Sequence, residues 1–249
     1  MKLTALAISC GGTGGHFNPG LSIARALKAR GGKPVLILGG KHVVKQAETA
    51  AEYGIDAVRI EAVPLTKNPF RLPMFFKHLF AGAAQTKAAY RKYGCQALLC
   101  MGSFASFPPA LAARLNRFPL FLHDGNAKIG RANRMLSRWA KALALSFPVK
   151  DVSRCKCPTI LTGMPLRPEI VSGVMDKADA VAEINRRWNA DFSPEKPLLL
   201  VFGGSLGART INTKVKIPVG LPGANDLQVV RLVGPGNLEA IRPLYAASP

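Results

Sequence analysis

The sequence predicts an α/β protein of two doubly wound, parallel-sheet domains, the second incomplete. Three observations predict it. Short apolar runs alternate with amphipathic stretches through the first part of the chain, the pattern of strand–helix units laid into a parallel sheet. Two apolar runs far apart in sequence end in glycine loops that lead into helices. The first is Leu3 to Cys10, ahead of Gly11-Gly12-Thr13-Gly14-Gly15-His16; the second is Pro197 to Phe202, ahead of Gly203-Gly204-Ser205-Leu206-Gly207. Between them Thr162-Gly163-Met164-Pro165-Leu166-Arg167-Pro168 breaks the alternation and reads as a linker. The domains are therefore drawn as residues 1–164 and 165–249.

In chain order, strands are expected at Leu3–Ser9, Pro34–Leu38, Ala57–Ile60, Ala97–Met101, Leu120–Leu122 and Ala142–Ser146. Each is a short run of apolar residues bounded by glycine, proline or charge. Helical spacing of apolar residues marks Pro19–Arg30, Val43–Tyr53, Phe75–Tyr93, Pro109–Asn116 and Arg131–Ala140 between them, with Gly31 and Gly54 standing where helix C-caps belong. Beyond the linker come a helix at Lys177–Trp188, the strand Pro197–Phe202, a helix from Ala208 and a strand at Leu227–Val233. Pro222, Gly223, Gly234, Pro235 and Gly236 interrupt what remains. In doubly wound sheets ligands bind beyond the carboxyl ends of the strands. The loops at Gly11–His16, Gly102–Phe107 and His123–Asn126 should gather there.

The first glycine loop carries the chemistry. Glycines between a strand and a helix leave backbone N–H groups uncovered, and the helix directs its positive end to the same spot, which suits phosphate or pyrophosphate. His16 adds a group that takes a proton near neutral pH. The loop lacks the Gly-Lys-Ser/Thr ending of a Walker motif, and Phe17 stands where a dinucleotide fingerprint needs its third glycine.

Composition narrows the partner. Lys and Arg number 34 against 14 Asp and Glu, a formal net charge of +20, which calls for an anionic partner: nucleic acid, an anionic membrane or a phosphorylated substrate. The bases are scattered, aromatics are only 7% and no nucleic-acid motif is seen, so no nucleic-acid partner is expected. The five cysteines are odd in number with no C-x-x-C pair, and are read as reduced thiols without a metal. No signal peptide is seen, and no apolar run approaches the ~20 residues of a membrane span. The stretch Pro69 to Phe80 is densely apolar and aromatic with Arg71 and Lys77 interleaved. Phe75, Phe76, Lys77 and Phe80 are its candidate membrane contacts, the alternative being a core helix with two bases reaching out to solvent.

Taken together, Gly11–His16 with Phe17-Asn18-Pro19-Gly20, Met101-Gly102-Ser103-Phe104, His123-Asp124-Gly125-Asn126, Gly163-Met164-Pro165-Leu166-Arg167 and Gly203–Arg209 resemble the MurG family of peptidoglycan N-acetylglucosaminyltransferases. The resemblance implies the GT-B fold, with two Rossmann-like domains: an N-terminal one for the lipid acceptor and the membrane, and a C-terminal one for the donor. It implies inverting transfer of N-acetylglucosamine from UDP-N-acetylglucosamine to the C4 hydroxyl of undecaprenyl-pyrophosphoryl-N-acetylmuramoyl-pentapeptide, at the cytoplasmic face of the bacterial plasma membrane. No cofactor is implied, and no Asp-x-Asp motif is present to hold a metal. By position, Thr13, Gly14 and Gly15 would contact donor or acceptor pyrophosphate, and Asn126, Arg167 and Ser205 would belong to the donor site. His16 is the candidate base; Asp124 either replaces it or orients it.

The chain departs from the family pattern at several places. Gly-Gly-Tyr reads Gly102-Ser103-Phe104, His-Glu-Gln-Asn reads His123-Asp124-Gly125-Asn126, Asn gives way to Met164 and Gln to Leu206. The family's later donor-binding motifs fall beyond residue 249. Weak donor binding and little transfer are therefore expected of the chain as it stands, and a catalytically inactive remnant that binds only the acceptor or the membrane is the alternative reading.

Overall fold

Alternating apolar runs become seven parallel strands in the computed structural model, which describes residues 4–66, 68–150, 152–204, 209–214 and 226–245. The strands are β1 (Ala5–Ser9), β2 (Lys33–Gly39), β3 (Asp56–Ile60), β4 (Ala97–Cys100), β5 (Leu120–Asp124), β6 (Ala142–Leu145) and β7 (Thr159–Leu161), in the order β3-β2-β1-β4-β5-β6-β7. Helices α1 (Gly14–Ala29), α2 (Val43–Glu52), α3 (Leu72–Lys92), α4 (Phe107–Leu115) and α5 (Arg131–Leu136) connect them. Strand alternation sends side chains to both faces. Leu6, Ile8, Leu36 and Leu38 meet Phe17, Leu21, Ala24 and Ala50 on one face. On the other, Ala7, Val35, Ile37, Leu98 and Leu122 pack with Ala83, Tyr90 and Ala110. Both faces are covered, which is why the strands read as nearly unbroken apolar runs.

The doubly wound parallel sheet expected from the sequence is present, with three differences. Helix α1 begins at Gly14, not near Pro19, so Gly14, Gly15 and His16 form its first turn. Pro19 suggested a helix start because proline suits a first turn. It lies inside the helix instead, where its missing N–H forfeits only the bond to the Gly15 carbonyl. Strand β7 was not foreseen: it has three residues and follows Pro158. From the last residue of the expected linker onward, Pro168–Ser172 forms a short helix, α6, that the sequence did not mark.

The chain divides into two compact units, Met1–Ser172 and Gly173–Pro249. Helix α6 stays on the first through a two-pronged ion pair: Glu169 accepts from Arg25 Nη1 at 3.0 Å and from Nη2 at 2.5 Å. Arg25 in turn stacks on the Tyr53 ring at 4.0 Å. The second unit contains α7 (Lys177–Trp188), β8 (Leu198–Phe202), α8 (Arg209–Lys214), β9 (Gln228–Leu232) and α9 (Leu238–Ile241). Its strands β8 and β9 pair in parallel from Leu198↔Gln228 to Phe202↔Leu232. Asn185 anchors the chain after α7 by bonding both the N–H and the carbonyl of Phe192.

Candidate active site

Sheet order reverses between β1 and β4, where the connections to left and right diverge and leave a crevice above the strand ends. The first glycine loop and the turn after β4 meet there. Close approach is the reason for Gly11: a Cβ there would lie 2.3 Å from the Gly39 backbone nitrogen. Gly12 has φ +106°, and a Cβ on it would lie 3.1 Å from Ser103 Oγ. Gly14 and Gly15 have no such crowding, since the nearest protein atoms to a Cβ on either are at 3.7 and 3.8 Å and are side-chain ends. Their N–H groups face solvent at the start of α1 and take no partner among the described residues. No acidic residue occupies the first turn to neutralise the helix dipole. The result is an exposed, anion-ready helix end.

His16 is the third residue of that helix and half-buried. Its Nδ1 lies 3.0 Å from Thr13 Oγ1. Its Nε2 comes within 3.4 Å of the place a Cβ on Gly102 would take, so only glycine at 102 (φ +97°) leaves the ring room. Burial lowers the imidazole pKa, and the charge of Asp124 partly offsets this. His16 is thus neutral at pH 7 yet close to a carboxylate that stabilises its protonated form.

Asp124 ends β5, is buried and accepts four hydrogen bonds. Its Oδ1 takes the Asn126 N–H at 3.1 Å and the Asn126 amide at 2.9 Å; its Oδ2 takes the Gly130 N–H at 2.8 Å and the Asn133 amide at 2.9 Å. Those bonds spend its lone pairs on shaping the β5–α5 loop, and what reaches His16 is its charge. Asn126 is therefore held by Asp124. Arg167 is exposed, before α6, and its charge helps keep Glu169 low at about 2, behind the larger effect of the Arg25 hydrogen bonds. Ser205 and the remainder of the second glycine loop lie outside the described residues, Gly203 and Gly204 excepted.

Two residues of this region, Asn133 and Gln46, escaped the sequence reading, and Ser103 entered it only as part of a motif. Asn133 is buried and joins the His123 carbonyl to Asp124 through one amide group. Gln46, also buried, donates to the Gly12 carbonyl at 3.2 Å and so braces the glycine loop from α2. Ser103 holds φ 73° and ψ 163°, a conformation otherwise left to glycine. No motif or periodicity singles out a lone amide on a helix; only the fold brings these groups to the crevice. His123 is buried, and its Nε2 lies 3.1 Å from Ser146 Oγ, which donates on to Met164 Sδ at 3.6 Å. Met164 fills the space beside Gly125, its Cε 3.1 Å from where a Cβ would be.

Away from the crevice, α3 buries Gly82, Ala83, Thr86 and Tyr90 on one side and leaves aromatics outside at its start. Asn68 caps a short 3₁₀ turn, Pro69–Arg71, by accepting from the Phe70 N–H at 3.0 Å. Phe70 is then 92% exposed, Phe80 57% and Phe76 48%, with Met74 and Lys77 also outside. Phe75 is half-buried and packs edge-on to Phe76 at 5.5 Å between ring centres. Lys67 lies outside the described residues. Among the described residues no helix is long and apolar enough to cross a membrane, and no group of three or more His, Cys, Asp or Glu is placed to hold a metal ion.

Comparison with known proteins identifies the family. The sequence profile of the glycosyltransferase family 28 N-terminal domain matches residues 6–145. A protein of Thermus thermophilus named UDP-N-acetylglucosamine--N-acetylmuramyl-(pentapeptide) pyrophosphoryl-undecaprenol N-acetylglucosamine transferase is 36% identical over 241 residues, covering 96% of this chain and 66% of its own. A protein of the same name from Frankia casuarinae is 32% identical over 244 residues, covering 96% of this chain and 62% of its own. The chain thus spans somewhat less than two thirds of the length of these relatives. The crystal structure of Acinetobacter baumannii MurG superposes with a TM-score of 0.69 at 23% identity, over 99% of this chain and 65% of that one, a likeness of fold.

Proposed function

Because this chain belongs to glycosyltransferase family 28, we propose that it serves the transfer of N-acetylglucosamine from UDP-N-acetylglucosamine to the C4 hydroxyl of undecaprenyl-pyrophosphoryl-N-acetylmuramoyl-pentapeptide. The relatives' names support the two substrates. The observation that carries the reading for this chain is His16 Nε2 at the mouth of an uncapped, glycine-lined helix end. That pairing supplies what an inverting sugar transfer needs on the acceptor side, a diphosphate cradle and a base within one helical turn of it.

In this reading the acceptor diphosphate rests on the Gly14 and Gly15 N–H groups, where the helix dipole favours negative charge. Thr13 Oγ1 accepts the Nδ1–H of His16, which leaves the Nε2 lone pair for the attacking hydroxyl. As the proton moves to Nε2, the Asp124 carboxylate stabilises the imidazolium electrostatically without taking the proton itself, its oxygens being already bonded. We assign Asp124 and Asn126 this supporting part. Arg167 and Ser205 are proposed for the donor diphosphate, where positive charge and backbone donors offset the charge that develops on departure. The membrane end of the acceptor is met by Phe70, Phe76, Phe80 and Lys77, a peripheral contact in which the aromatics enter the interface and the base meets anionic headgroups. The cytoplasmic face of the bacterial plasma membrane is the corresponding location.

Transfer of labelled N-acetylglucosamine to a short-chain acceptor, measured on a chain of the full length its relatives have, tests the reading. The His16→Ala variant should lose ~10²–10⁴ in rate, the usual worth of general-base catalysis, and keep its acceptor affinity. Equal rates in parent and variant would remove His16 from the chemistry. Transfer indifferent to the acceptor's diphosphate would remove the cradle.

A further inference from the structure

We propose that Cys155 and Cys157 form a thiol–disulfide exchange site, oxidised by low-molecular-weight disulfides to an internal disulfide and reduced again by thiols. The two sulfurs lie 3.8 Å apart on the loop between β6 and β7. Two residues apart, their Cα atoms are separated by at most ~7 Å of extended chain, and the loop is turned, so a bond of ~2.05 Å is reached by side-chain rotation. Backbone bonds already hold that turned shape: Cys155 N–H donates to the Val152 carbonyl at 2.9 Å, and Lys156 N–H donates to Ser137 Oγ at 3.0 Å. Ser137 is itself buried and fixed by its bond to the Arg134 carbonyl at 2.8 Å. The pair is thus clamped at its middle residue.

Exposure and charge separate these thiols from the others. Cys10, Cys95 and Cys100 are buried in the sheet core, whereas Cys155 and Cys157 are partly exposed. Lys150, Arg154 and Lys156 outnumber Asp151 in this segment, and their charge attracts an anionic disulfide. Burial and the neighbouring Cys155 push the Cys157 thiol up to about 12. One of the two sulfurs, as thiolate, displaces one thiolate from the small disulfide and forms a mixed disulfide. The other, giving up its proton, then attacks the first and expels the second thiolate. The two protons released by the protein end on the two small thiols: the protein loses two electrons and the disulfide gains them.

Intact-mass and peptide analysis after equilibration with glutathione and glutathione disulfide, acid quenching and alkylation tests this. In the wild type the Cys155–Cys157 disulfide should accumulate with rising oxidant, while Cys10, Cys95 and Cys100 resist alkylation until the protein is unfolded. Cys155→Ser and Cys157→Ser should each stop at a glutathione adduct on the remaining thiol. Because the second thiol acts at an effective concentration of ~mM or more, the wild-type adduct should stay roughly tenfold or more below that of either variant. An equal adduct in wild type and variants, or a pair still fully alkylated in a large excess of glutathione disulfide, would overturn the proposal.

Discussion

Ser103 is the residue at which this chain pays for its site. Its φ of 73° with ψ of 163° is reached without strain only by glycine, and such a conformation costs ~1–3 kcal/mol in other residues. Glycine returns part of that through its greater freedom when unfolded, ~0.5–1 kcal/mol. Ser103→Gly should therefore raise the thermal midpoint by an amount equivalent to ~1 kcal/mol; an unchanged or lower midpoint in calorimetry would show that the hydroxyl beside Gly12 makes a compensating contact. Two imidazoles, His123 buried and His16 half-buried, give a second residue-scale expectation. Burial lowers the pKa of both His16 and His123 in the folded protein. Between the lowered folded values and the ordinary ~6.5 the unfolded chain binds more protons, so stability rises with pH across that window. The contribution is complete above pH ~6.5 and is lost as pH falls through the folded values. Melting curves from pH 7.5 down to 5 should show this acid limb, and His123→Gln should flatten it. A limb of unchanged steepness in that variant would shift the whole effect to His16 or to carboxylates.

At the level of elements, α3 has two unlike sides. Gly82 lets it approach the β3 exit so closely that a Cβ would sit 2.1 Å from the Glu61 carbonyl oxygen, while Phe70, Phe76 and Phe80 stay outside at its start. Replacing those three by Ser should abolish binding to anionic vesicles in sedimentation and leave the unfolding midpoint within a few degrees, because little buried surface is removed. A collapse of the midpoint would assign the rings to the core instead. Periodicity marked this helix, and the strands, within a few residues, because burial on one or both faces writes itself into spacing. It also brought the first glycine loop and the His123–Asn126 segment to the right end of the sheet. What it left out has physical reasons. The start of α1 is hidden because glycines carry no helical signal, β7 because three residues are too few to show a period, and Phe70 because it stands in a 3₁₀ turn ahead of the helix. Gln46 matters through a contact 34 residues away and Asn133 through contacts 10 and 9 residues away, and pattern along the chain does not report such pairs.

On the scale of the whole molecule, the passage from the first unit to the second runs through α6, and the Arg25–Glu169 pair keeps that helix on the first unit. The pair holds Glu169 at about 2, so the clasp is intact throughout the physiological range and opens only as pH falls toward that value. Glu169→Gln should increase the rate of limited proteolysis within residues 168–176 several-fold and leave the melting of the first unit unchanged; equal cutting rates would mean that α6 is retained by other contacts. The sheet order has a consequence of a different kind, one of time. The central strand β1 pairs on one edge with β2, which follows within a single helix, but on its other edge with β4, whose first residue is Ala97. Synthesis at ~5–20 residues per second delivers that partner on the order of ten seconds later. Until then a newborn chain presents the open edge of Ala5–Ser9, a strand wholly buried in the folded protein, directly beside the first glycine loop. A helper that shields this edge, or a slow stretch of translation after β4, would be felt in the yield of folded protein without touching a single residue of the site.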